Sequence, residues 1–346
     1  MKAVVEVVES GTFVTVQDHG RPGYRKYGVP LSGALDSVSL SAVNALLGNK
    51  PDAAALEVFM RGPTLKVLSG GIRIALIGKI AAEVQTARVR NFHVEAQTTA
   101  TLFPGDMVQI GRSAGGVSYI GFSGGILVPP VLGSRSTYRR AALGGINGRA
   151  LAAGDCLPCE PVRGQVLEAA NPQPLTHDEG PIRVMLGPQL DYFSEQAITD
   201  FLGKPFIVTA DMDRMGMRLT GARLMHGDRG QEIVSDGVTP GSIQVPGDGY
   251  PIVLLADCQT TGGYPKIATV IKADLPCLAH VMPGMELRFR SVSAREAAAA
   301  LHARVQQLNA WIAGITHFRP PGLINEEALL GANLISGAVR GDECQY

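Results

Sequence analysis

The sequence predicts a mainly β fold made of two related β-barrel subdomains, with a few short helices and one helix near the C-terminus. Short runs of alternating apolar and polar residues are separated by turns along most of the chain, which is typical of strands. The 42 glycines and 22 prolines show no three-residue repeat and therefore indicate many tight turns. The two halves also repeat parts of each other in the same order, which indicates duplication of one β domain.

The duplication is clearest between residues 14–25 and residues 207–218. Within these segments Asp18 matches Asp211, Arg21 matches Arg214, Gly23 matches Gly216 and Arg25 matches Arg218. Further along the chain, residues 56–58 match residues 243–245, and residues 104–105 match residues 283–284. The order is kept while the offset shrinks, as expected of two related domains with loops of different length. Two copies are too few for a solenoid. We therefore expect a pseudo-symmetric pair of barrels with a cleft between them.

Local patterns place the individual elements. The predicted strands are residues 12–17, 64–68, 72–77, 107–110, 182–186 and 252–256. A first helix is predicted from its N-cap Asp36 to the stop at Gly48, and a second from about residue 191 to 202, ended by Gly203. Residues 293–296 form a capping box before a third helix. The face of that helix expected to pack on the body of the protein carries Ala297, Leu301, Val305, Leu308 and Ile312.

At roughly 100–200 residues per domain, a chain of 346 residues suggests two domains, each able to bury its own core. The predicted organisation is a first barrel subdomain over residues 1–165, a linker over 166–180, a second barrel subdomain over 181–292, a C-terminal helix over 293–314 and a tail over 315–346. The linker is assigned because residues in that stretch are polar and interrupted by proline.

Charge and targeting signals exclude several classes of function. The 31 basic and 31 acidic residues cancel, so we expect neither a nucleic acid nor a membrane as partner. The N-terminus reaches Glu6 before it forms the apolar stretch of a signal peptide, and no apolar run approaches the ~20 residues that span a bilayer. The five cysteines are odd in number and scattered, unlike a disulfide framework. We expect a soluble cytoplasmic protein.

Several familiar motifs fail on inspection. Residues 121–125 match the G-x-S-x-G nucleophile elbow, but no helix pattern follows Ser123, so a β-turn is the better interpretation. Cys156 and Cys159 form a lone C-x-x-C motif without a second pair or a βαβ context, which favours a structural turn. No phosphate-binding loop is present, and the seven histidines have no metal-ligand spacing, so no metal site is expected.

Polar side chains are densest between residues 232 and 276. The candidate catalytic residues are Lys266, Asp257 and Tyr264, and the candidate substrate-binding residues beside them are Gln259, Thr260, Thr261, Gly262, Gly263, Ser235 and Gln244. Most of them follow the predicted buried strand 252–256, and the paired glycines allow backbone N–H groups to approach a ligand. Such a set suits the binding and polarisation of a planar amide, urea or carboxylate, with Lys266 stabilising oxyanion charge and Asp257 orienting a nucleophile. The alternative is a polar turn between core strands.

The duplicated segment is a second candidate. Asp18 and Arg21 are interpreted as a structural clasp across a turn. Arg214 and Arg218, in the second copy, precede the polar loops of their own domain and are candidates for binding a carboxylate or phosphate of the substrate.

These residues resemble those of a known family. The matching stretches are residues 15–24, 28–30, 32–36, 44–49, 133–138 and 235–276, and above all Gln259 to Lys266. The sequence is similar to the biotin-dependent carboxyltransferase family, whose members include allophanate hydrolase subunit 2, the C subunit of 5-oxoprolinase and the antagonist of a sporulation kinase inhibitor. The resemblance extends over about residues 1–310 and leaves the tail 315–346 outside.

The resemblance implies two cyclophilin-like β-barrel subdomains that form half of a carboxyltransferase unit. The other half would be a subunit 1-type protein, corresponding to the B subunit of 5-oxoprolinase. A third protein of the lactam-utilisation type, the A subunit, would join them in the ATP-dependent opening of 5-oxoproline to glutamate. ATP would be bound by the complex, with no requirement that this chain hold it. Biotin would have to come from another protein, because this chain contains no Met-Lys-Met site.

Three functions remain open from the sequence. The first is a subunit of an ATP-dependent 5-oxoprolinase, active only in a complex. The second is a biotin-dependent carboxyltransferase subunit that acts on urea or a related amide. The third is a regulator without turnover that binds a kinase inhibitor. Binding to a subunit 1-type partner is common to all three, so the sequence favours the first without excluding the others.

Overall fold

The computed structural model describes residues 2–87, 91–162 and 167–319. The strands are β1 Ala3–Glu9, β2 Val14–Gln17, β3 Ala55–Arg61, β4 Thr64–Ser69, β5 Ile72–Ile77, β6 Ala82–Gln85, β7 Phe92–Val94, β8 Thr99–Leu102, β9 Met107–Ile110, β10 Arg112–Phe122, β11 Cys156–Cys159, β12 Glu168–Ala170, β13 Ile182–Leu186, β14 Phe206–Met212, β15 Gly216–Gly221, β16 Asp236–Gly237, β17 Ser242–Gln244, β18 Ile252–Leu254, β19 Thr261–Gly262, β20 Lys266–Val270, β21 Glu286–Leu287, β22 Phe289–Ser291 and β23 Thr316–Phe318. The α-helices are α1 Ser37–Leu46, α2 Glu195–Gly203, α3 Leu275–Leu278 and α4 Ala294–Ala313, and 3₁₀ turns lie at Arg25–Tyr27, Arg139–Ala141 and Leu190–Tyr192. None of the described helices is long and apolar enough to cross a membrane.

Two antiparallel sheets form the first half. One has the strand order β11-β1-β4-β9-β6-β7 and the other β2-β3-β10-β5-β8. Their alternating apolar residues enclose one core, in which Val5, Leu56, Ile74 and Phe122 are completely buried. The burial follows from the two-residue period of a strand, which turns every second side chain inward.

The second half is a nearly closed barrel. Its eight strands run in the order β21-β14-β15-β18-β17-β20-β13-β22. The two edges, β21 and β22, are consecutive in the chain, so the ends of the sheet meet within a few residues. A separate core fills this barrel, with Phe201 of α2 stacked on Phe289 at a ring-centroid distance of 4.7 Å. The mainly β fold with few helices, predicted from the turn pattern, is confirmed.

A third apolar cluster covers the first half where the second half and α4 approach it. It contains Leu40 and Val43 of α1, Tyr119 of β10, Ala279 after α3 and Trp311 of α4. The α1 helix begins at the predicted cap, because one carboxylate oxygen of Asp36 accepts from the amides of residues 38 and 39. This anchoring places the N-terminus of α1 at the junction of the two halves.

The face of α4 differs in part from the prediction. The capping box at Ser293 and Glu296 is present, as predicted. Leu308 and Ile312 pack on the cluster around α1, but Val305 is exposed. Arg304 and Trp311 are buried instead, because the contact face of the helix lies to one side of the predicted apolar positions.

Three further local predictions need correction. The α2 helix begins after Ser194, whose side chain accepts from the amide of Ala197, so the helix starts later than residue 191. Cys156–Cys159 is a strand paired with β1 rather than a turn. The predicted linker contains β12, which pairs with β23 at the start of the predicted tail. The rest of the tail lies outside the described residues, and the domain boundaries stay a prediction.

Some of the duplicated positions fold alike, whereas Gly23 and Arg25 lie in turns and their counterparts Gly216 and Arg218 lie in β15. Residues 14–17 are β2, and the matching residues 207–210 lie in β14. Gly105 and Gly284 both have positive φ, +96° and +89°, and each donates its amide to the carbonyl of a strand valine, Val67 and Val208 respectively. Such turns favour glycine because other residues are strained there.

Candidate functional site

Lys266 and a small two-stranded sheet form the centre of the predicted polar region. This sheet pairs β16 with β19, placing Asp236 opposite Gly262. The Lys266 side chain is 6% exposed, and its Nζ donates to Asp236 Oδ2 at 2.6 Å and to the Gly237 carbonyl at 3.2 Å. The Lys266 side chain is thus almost completely buried, and its charge is paired with the exposed carboxylate of Asp236.

Two amide side chains lie near Lys266, since Gln244 is opposite Lys266 across the β17–β20 pair and contacts Gln259. Gln244 is buried on β17 and accepts from Gln259 Nε2 at 3.3 Å through its Oε1 atom. Its Nε2 donates to the Tyr264 carbonyl at 3.4 Å. A Cβ on Gly262 would lie 2.5 Å from Gln244 Nε2, so a larger residue there would displace the Gln244 amide. We call Asp236, Gln244, Gln259 and Lys266 the Lys266 cluster.

Arg214 joins the second half to the first. Its Nε lies 3.0 Å from Asp257 Oδ2 and its Nη2 lies 3.2 Å from Asp257 Oδ1, a two-point contact. The same guanidinium donates to Glu57 of β3 and to the Gly33 carbonyl, both in the first half. Both carboxylates are at least nine-tenths buried, so each depends on Arg214 for its charge balance.

The chain of contacts continues from Glu57 to α1. The Tyr119 hydroxyl donates to Glu57 Oε2 at 2.6 Å and accepts from the Asp36 amide at 3.0 Å. Asp36 Oδ2 in turn lies 2.8 Å from both His177 Nε2 and His280 Nε2. We call these residues, from Asp257 through Arg214, Glu57 and Tyr119 to Asp36, the Arg214 network.

The surroundings of the Arg214 network determine which of its side chains are charged. Burial opposes the positive form of Arg214, but Glu57 and Asp257 outweigh it and raise its pKa. Burial likewise opposes the charge of Asp36, yet the contacts with His177 and His280 hold its pKa well below its usual range. Burial and the neighbouring carboxylates raise the pKa of Tyr119, so its hydroxyl stays protonated and donates.

The hydrogen bond from Lys266 lowers the pKa of Asp236 and keeps that exposed carboxylate ionised. Burial raises the pKa of the Cys258 thiol, which disfavours the thiolate and makes Cys258 a poor nucleophile. Ser123 lies in a turn, as predicted, and donates its hydroxyl to the Glu160 carbonyl. Neither side chain has the surroundings of an activated nucleophile.

The structure brings some of the predicted site residues together and places the others in different surroundings. Gln259 contacts Gln244, which lies opposite Lys266 across the β17–β20 pair. Thr261 and Gly262 form β19, the Thr260 carbonyl accepts from the Val238 amide, and the Gly263 carbonyl accepts from the Ile233 amide. Tyr264 and Ser235 are exposed. Asp257 and Arg214 are paired with each other in the Arg214 network, and Arg218 pairs with Asp248 at 2.6 Å. The roles of these residues stay predictions.

Sequence patterns missed several members of these groups. Asp236 carried a weak signal, since it precedes a glycine in the polar stretch. Glu57 lies in a strand, and Tyr119 in another, with no motif around them. His177 and His280 are far apart in the chain, so spacing offers no signal for their meeting at Asp36.

Comparison with known proteins identifies relatives over most of the chain. The family model described as "Carboxyltransferase domain, subdomain A and B" matches residues 27–291. The chain is 36% identical over 305 residues to the C subunit of 5-oxoprolinase from Escherichia coli strain K12, a match that covers 88% of this chain and 95% of the relative. It is 34% identical over 304 residues to the protein of the same name from Haemophilus influenzae, covering 85% and 93% respectively.

Larger proteins contain a similar region. The urea amidolyase of Lachancea kluyveri is 33% identical over 315 residues, which is 83% of this chain and 17% of that protein. The crystal structure of the Kluyveromyces lactis urea amidolyase superimposes with a TM-score of 0.79 at 28% identity, over 90% of this chain and 20% of the solved one. The match therefore includes most of this chain but only a fifth of that solved protein. By its sequence and its fold, this chain belongs to the carboxyltransferase domain family of subdomains A and B.

Proposed function

We propose that this chain is a subunit of an ATP-dependent 5-oxoprolinase, which opens the lactam of 5-oxoproline to give glutamate. The support comes from two relatives of nearly the same length, each named as the C subunit of 5-oxoprolinase. The observation that carries the proposal is the Lys266 cluster, where Asp236 orients one ammonium group at the start of β20 and the hydrogen-bonded pair Gln244 and Gln259 lies on the neighbouring strand and loop.

A lactam needs few groups for recognition and activation. Its N–H and C=O match the acceptor and donor atoms of Gln244 and Gln259, and the Lys266 ammonium would stabilise the negative charge that develops on the carbonyl oxygen. Asp236 is a positioning residue, because its hydrogen bond orients Lys266 Nζ. Tyr264 is a candidate contact to the substrate because its side chain is exposed beside the cluster.

Part of the wider predicted set keeps its role in the proposal, whereas Asp257 and Arg214 take a positioning role. Thr260, Thr261, Gly262 and Gly263 would contact the substrate through hydroxyl and backbone groups, with Ser235 beside the β16–β19 pair. Asp257 and Arg214 are paired with each other, and we propose that they position the loop that carries Gln259. Arg218 would bind the substrate only if its exposed ion pair with Asp248 were broken.

The proposed assembly contains other proteins. A subunit 1-type partner, corresponding to the B subunit of 5-oxoprolinase, and a lactam-utilisation-type protein as the A subunit would complete the enzyme. The chain has no glycine-rich loop followed by lysine and serine or threonine, so ATP would be bound by the complex without a cradle of that type from this chain.

A second candidate is carboxyl transfer to urea or a related amide, favoured by the structural match to a urea amidolyase. Biotin would come from another protein and would supply the carboxyl group. The donor set fits such a cofactor, because the amides of Gln244 and Gln259 and the Lys266 ammonium can bind a planar cyclic urea. This chain would hold and orient the urea groups at the same cluster.

Turnover by the assembled complex distinguishes the candidates. The chain is co-expressed with its genomic neighbours, and ATP hydrolysis is measured with 5-oxoproline, urea and allophanate as separate substrates. Turnover with 5-oxoproline alone is the expected result. Dependence on urea and a biotinylated protein would favour the second candidate, and binding of a partner without any turnover would favour a regulator.

Substitution of Lys266 tests the site itself. In the active complex, Lys266→Met is expected to lower kcat by about 10²–10³-fold, the scale typical for loss of one oxyanion-stabilising group. Lys272→Met is the matched control, because Lys272 is exposed only six positions away. Equal thermal stability of the two variants would show that the loss is not an unfolding effect. Full turnover by Lys266→Met would remove the proposed role.

A further inference from the structure

Three side chains of metal-binding type meet at the junction of the two halves, away from the Lys266 cluster. Asp36 Oδ2 lies 2.8 Å from His177 Nε2 and 2.8 Å from His280 Nε2. All three ligand atoms lie within 4.8 Å of one another, and the two imidazole rings are 4.3 Å apart between centroids. Two imidazole nitrogens and one carboxylate oxygen are a donor set that suits Zn²⁺ and related divalent ions.

The carboxylate is held in a fixed orientation. Asp36 is completely buried, and its Oδ1 accepts from the amides of Val38 and Ser39 at 2.9 and 3.0 Å. These two bonds belong to the helix cap and leave Oδ2 turned toward the histidines. A buried carboxylate oriented by backbone amides has little entropy left to lose when it binds a cation.

The imidazoles are arranged as metal ligands are. His280 Nδ1 lies 3.2 Å from the Gly115 carbonyl, a contact that requires a proton on Nδ1, so Nε2 is the ring nitrogen available to a metal ion. Metal-bound histidines usually make this kind of outer contact to a backbone carbonyl. His177 Nε2 is buried and makes no hydrogen bond within the described residues, although it faces Asp36 Oδ2.

Hydrogen bonds alone cannot satisfy all the polar groups that surround Asp36 Oδ2. The Ser39 hydroxyl also donates to Asp36 Oδ2, at 2.5 Å, so three groups converge on one oxygen. A carboxylate oxygen has two lone pairs, and the third group is left without an acceptor. A cation between the oxygen and the two Nε2 atoms removes this conflict, because it accepts a lone pair from each of them.

We propose that Asp36, His177 and His280 bind one divalent transition-metal ion, for which Zn²⁺ is the best match. Ligand distances of about 2.0–2.2 Å require the rings to withdraw by roughly half an ångström from their present contacts. The histidine side chains are 17% and 22% exposed, so neither ring is completely enclosed by the protein. The site needs no part in catalysis, and it is independent of the function proposed above.

The three ligands come from separate parts of the chain. Asp36 caps α1 in the first half, His177 lies between β12 and β13, and His280 follows α3 in the second half. A bound ion would therefore join both halves and the segment between them, and it would stabilise the folded state because an unfolded chain does not hold the three ligands together.

Metal binding by the purified full chain tests the proposal. After treatment with EDTA and buffer exchange, the protein is titrated with Zn²⁺, and then with Co²⁺, whose visible absorption reports four-coordinate nitrogen and oxygen ligation. We expect about one equivalent of Zn²⁺. At a free concentration of 100 times its Kd, the ion should shift the unfolding equilibrium about 100-fold toward the folded state.

Histidine variants assign the site. His177→Gln and His280→Gln are each expected to weaken Zn²⁺ binding by about 100-fold or more and to abolish the stabilisation. His302→Gln, on the exposed side of α4, is the matched control and should bind as the wild type does. Two variants are used because either alone could disturb the junction. Wild-type protein that takes up no stoichiometric Zn²⁺, or unchanged binding by both variants, would overturn the proposal.

Discussion

Arg21 and Arg214 occupy matching positions of the duplicated segment, but their partners differ. Arg21 is completely buried and donates to the Ser136 carbonyl within its own half. Arg214 reaches out of its half to Glu57 and the Gly33 carbonyl, while it holds Asp257 on its own side. The arginine of the first copy therefore holds a loop within its own half, and the arginine of the second copy links the two halves.

The aspartates of the two copies differ in the same way. Asp18 is buried and accepts from the Gly20 amide, the Arg135 amide and the hydroxyls of Ser134 and Ser136. Its counterpart Asp211 is exposed on β14. Duplication thus preserved the first strand of the segment but not the contacts of its charged side chains, because those contacts depend on what packs against each copy.

Removal of Arg214 is expected to have the largest effect. Arg214→Met leaves Glu57 and Asp257 buried without their cation, so we expect the free energy of unfolding to fall by about 3–5 kcal/mol. Urea denaturation of the purified chain measures this loss. Adding Glu57→Gln and Asp257→Asn should recover part of it, since no unpaired charge then remains. A loss below about 1 kcal/mol would contradict the linking role.

Removal of Asp18 should cost less and act locally. Asp18→Ala deprives two backbone amides and two hydroxyls of their acceptor, and we expect a loss of about 2–3 kcal/mol. Hydrogen exchange should increase around residues 134–136 in this variant, whereas Arg214→Met should increase it in both halves. The same exchange pattern in both variants would eliminate the distinction between the two copies.

Tyr119→Phe tests the link between Glu57 and α1. The change removes a donor to Glu57 and an acceptor for the Asp36 amide, with little change in volume. We expect a loss of about 1–2 kcal/mol in the free energy of unfolding, with faster exchange at the N-terminus of α1. Unchanged exchange there would mean that the helix is held by its cap alone.

Arg218→Met should have the smallest effect. Arg218 lies in the same copy as Arg214, but its pair with Asp248 is 36% and 45% exposed. We expect a change below about 1 kcal/mol that vanishes at high salt, because solvent screens an exposed ion pair. A loss as large as that of Arg214→Met would mean that burial does not explain the difference between these arginines.

Much of the fold was predictable because its signals are local. The strands 72–77, 107–110 and 182–186 and the Asp36 and Ser293 caps are as predicted. The alternation of a strand and the hydrogen bonds of a cap involve residues within a few positions of one another. The prediction was wrong for Val305, since the packed face of α4 depends on where Trp311 finds a partner.

The candidate site was predictable only in part. Lys266, Gln244 and Gln259 stood out because they lie in one polar stretch. The role of Asp257 as a partner of Arg214 did not, since a carboxylate after a strand can face a ligand or a guanidinium. Because the histidines show no metal-ligand spacing, the sequence did not predict that Asp36, His177 and His280 lie together.

By itself, the sequence determined the mainly β fold, the duplication, the main caps and turns and the polar stretch that contains Lys266. Only the tertiary structure decided that Arg214 reaches Glu57, 157 residues away, and that His280 reaches Asp36, 244 residues away. The physical reason is distance along the chain. Local hydrogen bonds and side-chain periodicity depend on residues close together in the chain, whereas contacts between the halves depend on how the two folded halves pack together.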